Sequence, residues 1–248
     1  MKKLMTLALV ASLGVSQFAI AKDELSIKFG TAAGYPPFEY HDQNNDIVGF
    51  DIDIANALCK ELDAKCTFTH QVFDSLIASL KFNRFDAIIS GMDVTPERTK
   101  QVLFSQTYYA NSALFIGKKG SADDVSQLKG KKVGVQNGTT HQKYILDKYP
   151  QMTLVAYDSY QTAVMDLSSG RLDAVFGDTA VVNEWLKNDA TLGPVGKTIT
   201  DPVYFGTGMA IAVKQGNSQL ADKINQGLNT IKANGEYQKV YDKWFPAS

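Results

Sequence analysis

The spacing of apolar residues changes several times along this chain, and each change predicts an element. At 25–32, LSIKFGTA alternates around Ile27 and Phe29, which fits a strand. AGYPPFEY follows as a loop, because two adjacent prolines exclude regular structure. Across IVGFDIDIANALCKEL the spacing lengthens, and Ile54, Ala55, Leu58 and Leu62 form one face of a helix. CTFTHQVF returns to strand character, and DSLIASLKF is a short amphipathic helix. DAIISG is an apolar run bounded by Asp and Gly, a buried strand. Strands alternating with helices predict an α/β fold with parallel sheets.

The second half repeats this plan. KKVGVQNGTTHQKYIL reads as a strand, a glycine turn and a helix start; LVAYDS, YQTAVMDLSSG and DAVFGD read as strand, helix and strand. FDSLIASLKFNRFDAII at 73–89 aligns with YQTAVMDLSSGRLDAVF at 160–176 at a constant offset of 87. Phe73 meets Tyr160, Leu80 meets Leu167, Arg84 meets Arg171 and Asp86 meets Asp173. Helix–turn–strand units share part of this pattern in general, but the run of matches predicts two lobes of similar architecture. TGMAIAVKQGN then reads as a strand, and the rest of the tail is helical with a break at Gly235. If the tail returns to the first lobe, the chain crosses twice, near Tyr109–Ser112 and near Phe205–Gly208. The expected lobes are 22–110 with 208–248, and 111–207.

The first residues belong to a different pattern. MKK, the apolar run LMTLALVASLGV and Ala19-Ile20-Ala21 together predict a secretory signal peptide cleaved after Ala21. The apolar run is too short for a membrane span. Removing 21 of 248 residues leaves 227, ample for two modest cores. Removing Lys2 and Lys3 takes the formal charge from −1 to −3. A mildly acidic chain without a basic stripe argues against nucleic acid. Cys59 and Cys66 lie seven residues apart in LCKELDAKC, and in an exported protein such a pair reads as a disulfide. The loop-entropy model gives so short a loop roughly 2.5 kcal/mol. Two buried free thiols are the alternative. Seven-residue spacing without clustered histidines does not suit zinc.

Signals for catalysis are few. No G-x-S-x-G elbow, H-E-x-x-H, P-loop or G-x-G-x-x-G occurs, and His41, His70 and His141 are scattered. Asp51 and Asp53 lie at a helix start, where the helix dipole explains acidic residues. Other residues resist a local account. In SGMDVTPERTK, Thr95 can cap a helix and Pro96 suits its first position. Arg98 then sits in the first turn, where a cation is disfavoured, so a ligand anion is the expected partner. Ser90, Gly91 and Asp93 end one buried strand and Asp178 ends another, at the sheet edge where α/β ligand sites lie. Thr139 and Thr140 offer hydroxyls and free N–H groups at a helix start. Tyr35 and Phe73 are aromatics outside any periodic core face. Arg98 suits a carboxylate, Asp93 and Asp178 an ammonium, and the rings an alkyl chain or planar cation. Together they complement a free amino acid.

YPPFEY, GFDIDIANAL, FDSLIASL, FDAIISGMDVTPER, GVQNGTTHQKY, GRLDAVFGD and the C-terminal WF span nearly the whole chain after the leader. In these stretches it resembles the family 3 periplasmic solute-binding proteins of ABC importers. ISGMDVTPER, the FGDTAVVNEWL run and the cysteine pair resemble the arginine-binding branch most closely. The resemblance implies a two-lobe clamshell, each lobe a mainly parallel sheet flanked by helices, with two crossover hinge strands. It also implies a monomeric periplasmic carrier with no cofactor, which hands its ligand to an inner-membrane ABC permease. By resemblance, Arg98 grips the α-carboxylate with help from Thr140. Ser90, Gly91 and Asp93 serve the amino group and support the carboxylate, and Asp178 receives the ammonium. Tyr35 and Phe73 sandwich the side chain. Relatives binding lysine, ornithine or histidine carry an aspartate where this chain has Ala32, so a guanidinium needs another acid, for which Glu39 is the candidate. Relatives usually have Ser at the position of Asp93. A periplasmic dehydratase on the same scaffold and a ligand-sensing module are the rival readings.

Overall fold

Runs of β-branched and aromatic residues, spaced by amphipathic helices, build two five-stranded sheets in this protein. The computed structural model describes residues 25–205 and 208–246, so the expected signal peptide and cleavage after Ala21 lie outside the described residues. In chain order the first part contains β1 (Leu25–Thr31), β2 (Tyr40–His41), β3 (Ile47–Val48), α1 (Phe50–Glu61), β4 (Ala64–His70), α2 (Leu76–Lys81), β5 (Ala87–Ile88), α3 (Pro96–Thr99) and β6 (Val102–Tyr109). The middle contains β7 (Ala113–Lys118), β8 (Lys132–Gln136), α4 (Thr140–Lys148), β9 (Thr153–Tyr157), α5 (Tyr160–Ser168), β10 (Ala174–Asp178), α6 (Thr179–Asn188) and β11 (Leu192–Ile199). The tail contains β12 (Met209–Lys214), α7 (Ser218–Ala233) and α8 (Glu236–Trp244).

One sheet has the order β4-β1-β5-β12-β6 and the other β9-β8-β10-β7-β11. In the first, β1 runs parallel to β4 and β5, and β12 is antiparallel to both its neighbours. In the second, β8 runs parallel to β9 and β10, and β7 is antiparallel to both its neighbours. Each sheet is therefore mixed, with one reversed strand in the same place. That strand is the first one laid down after the chain passes from one sheet to the other: β7 follows β6, and β12 follows β11. Tyr204 and Phe205 still pack in the core of the second sheet, so the return follows Phe205.

The internal echo has a physical basis. Asp86 donates its N–H to Lys28 O, and its carboxylate accepts the Lys28 N–H. Asp173 makes the same two bonds with Lys132. Both ties lock a helix–turn onto a parallel strand of its sheet, β1 in one and β8 in the other. A glycine lies under each turn. A Cβ on Gly30 would stand 2.4 Å from the Phe85 ring, and one on Gly134 2.5 Å from Leu172 Cδ1.

A Cys59–Cys66 disulfide ties α1 to β4. In the tail, α7 and α8 pack back on α1. The lobes also touch through stacked Tyr35 and Tyr160 rings, 5.2 Å between centroids. Among the described residues, no helix is long and apolar enough to cross a membrane.

Candidate functional site

The first lobe brings three segments to the cleft. Residues 35–39 fold back on themselves, with Gly34 and Tyr35 N–H both bonded to Glu39 O. This directs the Glu39 side chain inward, where Oε1 accepts from Ser90 Oγ at 2.9 Å. Ser90 Oγ in turn accepts the Ala32 N–H. After β5 the chain bends at Gly91, whose φ of 51° lies in the region open to glycine. That bend starts the loop leading to α3. Thr95 caps the helix by accepting the Arg98 N–H, and Pro96 begins it. The helix has a single turn, so its dipole penalty on Arg98 is small. What holds Arg98 is burial and specific bonding. Nη1 donates to Asp93 O at 3.0 Å, and Nη2 reaches across to Gly138 O in the second lobe at 3.1 Å. Its guanidinium also stands 5.4 Å from the Phe73 ring centroid.

The second lobe brings two helix starts. Thr139 caps α4, so its hydroxyl serves Gln142 N–H and Gln136 O rather than the cleft. Thr140 Oγ1 points the other way and donates to Asp93 Oδ2 at 3.0 Å. Asp178 ends β10. Its Oδ2 accepts the Tyr35 hydroxyl at 2.6 Å, and its Oδ1 accepts Asn111 Nδ2 at 2.6 Å. His141 Nε2 lies 3.1 Å from Asp178 Oδ1. The Asn111 amide also donates to Asp93 Oδ1 at 2.9 Å, so one hinge side chain bridges a carboxylate of each lobe.

Burial sets the electrostatics. Asp93 is pushed up to about 7, first by burial and then by Asp178, against the pull of Arg98. Arg98 is lowered by burial, and neighbouring carboxylates oppose that shift. Burial also raises Tyr35, so its hydroxyl stays a donor. Glu39 is raised well above the usual carboxylate range by burial and then by Asp51, and Asp51 is pushed up to about 7 by burial.

Tyr35, Glu39, Phe73, Gly91, Asp93, Arg98, Thr140 and Asp178 line one cavity between the lobes, with Gln136, Thr139 and His141. Its free volume is about 10 Å³, room for about one water, so an amino acid enters only if the lobes part. Residues 27–247 match the bacterial extracellular solute-binding proteins, family 3. This chain is a family 3 solute-binding protein. Among similar family 3 proteins is the putative ABC transporter arginine-binding protein 2 of Escherichia coli strain K12, 59% identical, with 99% of both chains covered. A Salmonella typhimurium periplasmic binding protein, solved to explain its high arginine specificity, is 51% identical with a TM-score of 0.87. It covers 89% of this chain and 99% of its own. An ancestral arginine-binding protein bound to glutamine is 39% identical with a TM-score of 0.84, covering 90% of this chain and 98% of its own.

In this family 3 protein, Ser90 stands apart from the other candidates. It is buried behind the cavity and supports Glu39 instead of lining the wall. Asp51 requires a correction. Its place at a helix start suggests a dipole role, yet it is wholly buried, and its Oδ2 accepts Gly91 N–H at 2.7 Å and Tyr108 hydroxyl at 2.9 Å. Asp53 likewise answers to the tail, accepting from Trp244 Nε1 at 2.7 Å and Lys243 Nζ at 2.6 Å. Asn111 and His141 escaped the sequence reading. Asn111 lies in a crossing without periodicity, and a lone histidine carries no signal of its own.

Proposed function

We propose that this protein is a periplasmic carrier that binds L-arginine between its lobes and delivers it to an inner-membrane ABC permease. Export with cleavage after Ala21 belongs to the same reading, as do lobes of 22–110 with 208–248 and of 111–207. The observation that carries it is the charge balance of the cavity. One guanidinium, Arg98, and three carboxyls, Glu39, Asp93 and Asp178, line the same wall. A ligand with one carboxylate and two cationic groups complements that balance better than a neutral or acidic amino acid does.

The α-carboxylate pairs with Arg98 and Thr140, displacing Gly138 O and Asp93 Oδ2 as their partners. The ammonium lies between Asp93 and Asp178, where Asn111 now donates. Gly91 lies at the same edge, and Ser90 acts through Glu39. Tyr35 and Phe73 flank the side chain, and Glu39 receives the guanidinium. Because the ligand replaces contacts between the lobes with contacts to both, it favours the shut form through interactions that parted lobes cannot make. The relatives named for binding arginine within transporters support a carrier over an enzyme. Glutamine is the second reading, since an ancestral relative was solved with it bound.

Isothermal calorimetry on protein refolded to remove carried-over ligand tests the proposal. Arginine is expected to bind one to one at or below about 1 μM, about −8 kcal/mol or stronger. It should bind tighter than lysine, ornithine, histidine and glutamine. Absence of heat with arginine, or steady turnover of it to a product, would overturn the proposal.

A further inference from the structure

Glu39 and Asp51 come from different elements, the 35–39 turn and the first turn of α1, and both are buried. Ser90 serves Glu39 Oε1, while Gly91 N–H and Tyr108 hydroxyl serve Asp51 Oδ2. Glu39 Oε2 and Asp51 Oδ1 are left with no donor among the described residues if both groups are ionised. Neither carboxyl has an ion pair with a lysine, arginine or histidine among the described residues. The adjacent residues Ser90 and Gly91 hold the two carboxyls side by side, and a proton on one of them would supply a donor that these buried oxygens otherwise lack. Burial raises both carboxyls, and the Asp51 charge raises Glu39 further, in keeping with a single shared proton.

We propose that the Glu39–Asp51 pair keeps its shared proton when a neutral side chain occupies the cleft and releases it to solvent when a cationic one does. The idea rests on the arginine reading above. Glu39 forms part of the cavity wall, and Asp51 lies behind it as a positioning residue. A guanidinium against Glu39 supplies the positive charge that the proton otherwise supplies. The O–H bond breaks, its electron pair stays on the carboxylate, and the proton passes to buffer. Three titratable groups face the pair from other elements. Tyr108 on β6 is kept neutral by burial, and Asp178 on β10 adds negative charge to Glu39 across the cleft. Asp93, after β5, also acts on Tyr108. Asp93 titrates in its own setting beside Asp178, Arg98 and His141, and the ammonium of any amino acid acts on it alike. The difference between arginine and glutamine therefore isolates the pair.

The test is calorimetry with arginine and with glutamine between pH 6 and 8, in two buffers of different ionisation heat. Arginine is expected to release up to about one proton more than glutamine near pH 7, with the affinity ratio rising by up to about tenfold per pH unit. In Asp51→Asn the new amide can donate to Glu39 while its oxygen keeps Gly91 and Tyr108. That variant should still bind arginine but lose the extra proton release. Should glutamine bind too weakly to titrate, the difference in proton count between wild type and D51N with arginine decides alone. Equal proton counts in those comparisons, with arginine bound, would overturn the pair's role and leave the arginine reading standing. No arginine binding in the wild type would overturn both.

Discussion

In the first lobe the chain leaves β5 and bends at Gly91; at the equivalent place in the second lobe, 87 residues on, stands Asp178, and the chain runs straight from β10 into α6. Up to that edge the lobes match in strand order, in the Asp–Lys tie and in the glycine under the turn. Beyond it they differ. The bend frees a loop that carries Asp93 and Arg98, whereas the straight passage fixes a carboxylate at a strand end. A repeated scaffold thus supplies opposite halves of one site. The shared features serve folding, and the departures from them serve binding.

Mutations can break this comparison. Arg98→Ala should have the largest effect, because it removes the one buried cation of the first-lobe loop. Two charge-assisted bonds are lost, about 3 kcal/mol or more, so arginine should bind at least a hundredfold more weakly. Arg98→Lys should recover only part of that, because a point charge cannot reproduce the fork. Calorimetry reads both, and unchanged affinity in either variant would contradict the role. The disulfide belongs to the first lobe alone, so Cys59→Ser should lower stability by about 2.5 kcal/mol in a denaturant melt, with ligand-site geometry retained.

The two glycines sharpen the likeness. Gly30→Ala drives a Cβ into an aromatic ring and Gly134→Ala into a leucine methyl. Each should cost about 1–3 kcal/mol, with Gly30→Ala the worse because the Phe85 ring has fewer ways to yield. Equal stability to wild type in both would remove the packing basis of the repeat.

A dependence on pH follows from the buried acids. Asp51 and Asp93 hold protons to about 7 in the folded chain, whereas an unfolded aspartate releases its proton near about 3.9. Between those values the folded chain binds more protons than the unfolded chain, so stability falls as pH rises. The Tm of ligand-free protein should drop from pH 5 to pH 8, and Asp51→Asn should flatten the drop. A Tm that rises over that range would refute the buried-acid account.

Much of this was legible in the sequence. Hydrophobic spacing marked the strands and helices, and the 87-residue echo marked the repeat, since both follow from local patterns. Arg98, Asp93 and Asp178 stood out because no local explanation sufficed for them. Asp51 misleads for the converse reason. A carboxylate in a first helical turn has a satisfactory local account, and its actual partner Tyr108 is 57 residues away. Asn111 shows the same limit: its amide matters only because two distant carboxylates meet there. The reversed strand in each sheet arises from the chain passing between lobes, which no window of sequence registers.

The most direct measurement is a crystal structure of the protein grown with L-arginine. The account predicts the α-carboxylate on Arg98 and Thr140, the ammonium between Asp93 and Asp178, and the guanidinium against Glu39 between Tyr35 and Phe73. An arginine bound in the reverse sense, or with its guanidinium away from Glu39, would contradict it.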